Sequence, residues 1–113
     1  MDKNKTGEKR ENVVDKILSY VEGDTKVVLA DKLLDKKIIS ILKDDELMSS
    51  VEAFFDNSLN ISETSRNAFM HRNTLLYRLE KIHKLTGLNL RDLNDAVAFM
   101  FYKSIYEKTK NIR

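Results

Sequence analysis

The chain has 113 residues, 42% of them hydrophobic and 34% charged, with a formal charge of +2; that length supports one small core, with or without a helical extension, and excludes two independent ones. No apolar run approaches the roughly 18 uncharged residues that a membrane-spanning helix needs, and the charged N-terminus has no apolar segment of a secretory signal behind it. Cysteine is absent, which removes disulfides and thiolate metal sites, so a cytoplasmic protein without a metal is expected.

Proline is absent as well, and an all-α fold is expected: a helical bundle with an N-terminal helical extension. Residues 1–10 lack periodicity and read as a disordered tail. Residues 11–43 read as the extension and residues 44–113 as the principal domain. Over residues 11–22, Val13, Val14, Ile17, Leu18 and Val21 fall on one helical stripe, and Gly23 with Asp24 is the expected stop. Residues 25–30, TKVVLA, have the β-branched content of a short strand, yet Leu34, Ile38, Ile41 and Leu42 have helical spacing, and helix is preferred.

A third helix is expected over residues 45–57, burying Leu47, Met48, Val51, Phe54 and Phe55, with acidic residues favoured in its first turn by the helix dipole. Ser62 is a candidate N-cap for a short helix reaching Phe69. The next helix starts at about residues 71–72 and runs to residue 86, where Gly87 can take the left-handed conformation of a C-terminal cap. A final helix over about residues 92–108 completes the chain.

Two short helices joined by a tight turn make a helix-turn-helix, whose second helix fits the major groove of DNA. Charge is distributed accordingly: residues 44–57 hold five acidic side chains and no basic one, whereas residues 58–86 hold five basic against two acidic. With about 100° between successive residues, Leu75, Leu76, Leu79, Ile82 and Leu85 gather on one side of the second helix, the expected core face. The opposite face carries Asn73, Thr74, Tyr77, Lys81 and Lys84, with Arg78 on its flank and Arg72 at the N-terminal end. Asn pairs bidentately with adenine and Arg with guanine, a Thr methyl meets the thymine methyl, and Lys and Tyr reach phosphates. Ser62 and Thr64 of the preceding helix and His71 at the helix start join these as candidate DNA-binding residues.

The segment HRNTLLYRLEKIHKLTGLNL resembles the signature of PucR/CdaR-type bacterial transcription regulators: HRNT stands at residues 71–74, YRL at 77–79 and TGL at 86–88, with NISETS upstream at 60–65. The resemblance covers about residues 45–105. It implies a C-terminal helix-turn-helix domain related to the Fis-type DNA-binding fold, in a regulator of transcription. Ser65 stands where such motifs usually have Ala, and Ala68, Phe69 and Met70 stand where Leu and a smaller aliphatic residue are common, so an adjusted turn is expected. Family members usually place sensory or ligand-binding domains before this module, and residues 1–44 carry no comparable match. The expectation is therefore either an excised C-terminal part or a short regulator, with the sensor elsewhere or absent.

Other chemistries find little support. His71 and His83 lack the i, i+4 spacing of a helical metal site. No Gly-rich phosphate loop and no nucleophile grouping in a strand-and-turn setting is present, so neither catalysis nor a cofactor is expected. In the last helix Leu93, Val97, Met100, Phe101 and Ile105 form one stripe and Phe99, Tyr102 and Tyr106 another. The second stripe needs cover, either from residues 11–43 or from a second subunit. A homodimer would space two reading helices by about 34 Å over two half-sites. The expected function is sequence-specific binding of double-stranded DNA as a homodimer. The rival is a helical protein-interaction module, and RNA binding ranks third because no aromatic stacking platform stands out.

Overall fold

The computed structural model describes residues 12–112, and the tail expected over residues 1–10 lies outside them. Among the described residues there are seven α-helices and no strand: α1 (Val13–Ser19), α2 (Gly23–Leu33), α3 (Lys36–Leu42), α4 (Asp45–Asp56), α5 (Ile61–Asn67), α6 (Arg72–Thr86) and α7 (Leu93–Thr109).

Short polar side chains set most of the starts, each accepting from a backbone N–H that the first turn leaves unpaired. Asn12 does so for α1, Asp44 for α4 and Asp92 for α7. Gly23, expected to stop the first helix, instead opens α2; it takes no left-handed backbone there, and Asp24 beside it suits the positive end of the dipole. The segment TKVVLA is helical within α2. The apolar spacing that runs on from Leu34 spans a break: Asp35 is extended, and its carboxylate accepts from the Ile38 N–H at 2.8 Å, restarting the chain as α3.

One apolar core runs from Leu18 to Ile105, continuous across residues 43 and 44. α1 and α2 pack on α7, α3 touches α4, α6 and α7, and α4 supports α5 and α6. A hydrogen bond from the Ser104 hydroxyl to the Asp15 carboxylate ties α1 to α7.

This packing bears on the cover left open for the last helix. Phe99 is fully buried, its ring edge-on to Phe55 with centroids 6.3 Å apart. Tyr102 and Tyr106 are half-buried against the same core. The candidate dimer-interface stripe is thus covered in part by the chain's own helices, one of the two covers expected, while Leu93 and Val97 of the other stripe are exposed. The two stripes of α7 are alike in hydropathy, and the packing of α1 and α2 on this helix decides between them.

Candidate nucleic-acid interface

α5 is capped by Asn60, whose side chain accepts from the Glu63 N–H at 2.8 Å. Ser62, expected as the cap, lies inside the first turn, where its exposed hydroxyl accepts from an Arg72 guanidinium N–H at 3.2 Å. Thr64 is fully buried, and its hydroxyl donates to the Asn60 carbonyl at 2.6 Å. It therefore offers nothing to a ligand, contrary to its place among the candidates. The reason is angular: Ile61 and Thr64 share the inner side of α5, so Thr64 is buried as Ile61 is. Farther along, Glu63 and Arg66 pair with each other on the surface. The Ser65 hydroxyl is buried without a hydrogen-bond partner.

The turn after α5 is closed by backbone bonds from the Ala68 N–H to the Thr64 carbonyl (2.9 Å) and from the Met70 N–H to the Ser65 carbonyl (3.0 Å). His71 then caps α6, its Nδ1 accepting from the Asn73 N–H at 3.1 Å. At the other end Gly87 takes φ 81°, and its N–H donates to the His83 carbonyl at 2.8 Å. α6 is thus fixed at both ends near the residues the sequence marks.

Around α6 the two expected faces separate, with corrections at their edges. Leu75, Leu79 and Ile82 are buried, Leu76 is half-buried, and Leu85 is exposed. At about 100° per residue, Leu76 and Leu85 fall on opposite margins of the apolar arc, so they cover the core only partly. His71, Arg72, Asn73, Lys81 and Lys84 are exposed, and Tyr77 is 68% exposed. Thr74 is half-buried.

Arg78 differs from these residues. Its side chain is only 20% exposed. One guanidinium N–H donates to the Ser50 hydroxyl at 2.8 Å, and another nitrogen lies 3.4 Å from the Glu46 carboxylate. The angular position of Arg78, about 60° from Leu75 on the helical wheel, puts it beside the buried arc. The supporting pair Ser50 and Glu46 was not anticipated, because nothing in α6 alone points to α4.

The electrostatics follow from these pairings. Among the described residues Arg66 and Arg78 have carboxylate partners, whereas Arg72, Lys81 and Lys84 have none. Glu80, the one acid on α6, faces the His83 ring at 3.7 Å. The outward side of α6 is therefore a hydrogen-bonding surface carrying uncompensated positive charge, suited to a polyanion. Among the described residues no group of acidic, histidine or cysteine side chains is arranged to hold a metal, and no helix is long and apolar enough to cross a membrane.

The family model of the PucR C-terminal helix-turn-helix domain matches residues 47–102, from α4 into α7. The chain is 31% identical over 93 residues to the uncharacterized protein YsfB of Bacillus subtilis (strain 168), covering 82% of this chain and 24% of that protein. It is 38% identical over 50 residues to the purine catabolism regulatory protein of the same organism, 44% of this chain and 9% of the relative. It is also 43% identical over 49 residues to the carbohydrate diacid regulator of Escherichia coli (strain K12), 43% of this chain and 13% of the relative. The chain spans about a quarter or less of the length of these relatives. No solved structure matches it.

Proposed function

We propose, from the premise that residues 47–102 are a PucR C-terminal helix-turn-helix domain, that this chain binds double-stranded DNA sequence-specifically and serves in transcription regulation, with α6 lying in the major groove. The observation that carries this reading is the asymmetry of α6: Leu75, Leu79 and Ile82 are buried while Arg72, Asn73, Tyr77, Lys81 and Lys84 stand outward. Two of the relatives are named as regulators, which supports the same class of function.

Within that reading the roles divide by reach and by prior engagement. Arg72 and Asn73, at the N-terminal end of α6, have the bidentate groups that read guanine and adenine edges. Lys81, Lys84 and Tyr77 meet phosphates, which position the helix and contribute affinity on any sequence. Arg78, held by Ser50 and Glu46, positions α6 on α4 and is not a base reader. Ser62 orients the Arg72 guanidinium before DNA arrives. The protein acts as a homodimer on two half-sites, which the spacing of reading helices in such dimers requires to lie about 34 Å apart or a multiple of it.

Selection of binders from a pool of random duplexes at moderate salt tests the proposal. A recurring short site, present twice with a fixed separation, is the expected result. A chain that binds all duplexes alike, or that instead captures an acidic protein through the outer face of α6, would overturn the reading.

A further inference from the structure

The two turns that bracket α5 both force non-glycine residues into the left-handed region: Ser58 (φ 56°) and Leu59 (φ 61°) before it, Phe69 (φ 52°) after it. Bulky L-residues avoid that region because the side chain crowds the backbone. At Leu59 the strain has a visible compensation. Its side chain is half-buried and packed on the core, and its N–H closes α4 by donating to the Phe54 carbonyl at 2.9 Å.

At Phe69 no such compensation exists. Its side chain is 96% exposed, the most exposed of the large hydrophobic residues described. A glycine or asparagine would hold the same backbone with less strain and without presenting an aromatic ring to water. The neighbours on either side, Ala68 and Met70, are half-buried, and Met70 accepts a hydrogen bond from Ser50 at its sulfur. The turn is therefore fastened on both sides of a residue whose own side chain is left in solvent. A strained, exposed side chain over-determined by its surroundings points to a contact with something else.

Position supplies the partner. Phe69 stands two residues before the helix cap His71 and three before Arg72, in the turn that leads into the exposed residues of α6. We propose that Phe69 is an apolar DNA-contact residue, its ring meeting a thymine methyl group at the edge of the groove that α6 enters. Phenylalanine makes such contacts with the thymine methyl, and covering both groups removes apolar surface from water. The inference rests on the DNA-binding reading above and adds to it a specificity element outside the helix.

The test compares the wild type with Phe69→Gly and Phe69→Asn on the duplex obtained by selection, together with a set in which each thymine in turn is replaced by deoxyuridine, which lacks the methyl. Both variants should melt no lower than the wild type, because both tolerate the left-handed backbone. Both should bind about fivefold or more weakly. One deoxyuridine should weaken the wild type by a similar factor and leave the two variants unaffected. Wild-type affinity in both variants, or a response to every deoxyuridine that matches the wild type, overturns the role of Phe69 while leaving the DNA reading standing. If the wild type selects no sequence at all, the DNA reading falls, and this inference falls with it.

Discussion

Two arginines six residues apart on α6 illustrate how little a charge says about its use. Arg72 is exposed at the first turn of the helix, its one side-chain bond going to the Ser62 hydroxyl. Arg78, nearly two turns on, is largely covered and committed to Ser50 and Glu46 of α4. The first region retains hydrogen-bonding capacity for a ligand, while the second spends its capacity on holding the helix in place. A groove-reading helix needs both, since a base contact made by a loosely seated helix would lose its geometric selectivity.

Removing the anchored arginine should have the largest effect. Arg78→Ala leaves the buried Ser50 hydroxyl without its charged donor and should cost about 1.5–3 kcal/mol of stability, the range for hydrogen bonds to charged groups, measured by urea denaturation. Arg78→Lys should not restore it, because the shorter side chain ends in one compact ammonium and lacks the planar fork whose two nitrogens face Ser50 and Glu46 separately. If Arg78→Ala instead leaves stability unchanged and alters only which sequence is selected, the contrast between the two arginines is lost.

Arg72→Ala and Asn73→Ala should give the complementary result. Each should remove about 1–3 kcal/mol of discrimination at one base position, while stability stays within about 0.5 kcal/mol of the wild type, as for surface changes remote from structural features. Competition binding against duplexes altered one base at a time measures the first, and thermal unfolding the second. A fall in stability comparable to that of Arg78→Ala would mean that both ends of α6 are structural.

The smallest effect is expected at the joint beneath them. Ser65→Ala removes a buried hydroxyl with no partner, and the protein should become more stable by about 1 kcal/mol, since an unsatisfied buried group carries its full desolvation cost. A loss of stability on this substitution would show that the hydroxyl is satisfied in solution.

The sequence made α6 legible because three independent signals coincide there: an apolar arc at helical spacing, a glycine able to take the left-handed cap, and a turn placed shortly before it. Elsewhere the signals compete. Ser62 and Asn60 are two residues apart and equally able to cap α5, and only the backbone conformation at Asn60, extended at ψ 115°, decides. Thr64 looks like a surface hydroxyl until its register with Ile61 is considered. The aromatics of α7 defeat a one-dimensional reading for a different reason. Both sides of the helix are apolar, and what covers Phe99 comes from parts of the chain distant in sequence, Phe55 among them. Gly23 misleads in the opposite direction, since glycine permits a helix to end without requiring it to.

The dependence of α7 on the N-terminal helices bears on how a recombinant fragment should be drawn. A piece trimmed to the recognisable motif, residues 47–102, would sever α7 immediately before Lys103 and discard α1, α2 and α3. Ile105, Tyr106 and the Ser104 tether to Asp15 would go with them. The remaining stub would present to water the side on which α1 and α2 had rested, a surface prone to self-association. Sequence similarity thus outlines residues 47–102, whereas the core those residues share runs from Leu18 to Ile105, so a fragment should be drawn from Asn12 to the end of α7.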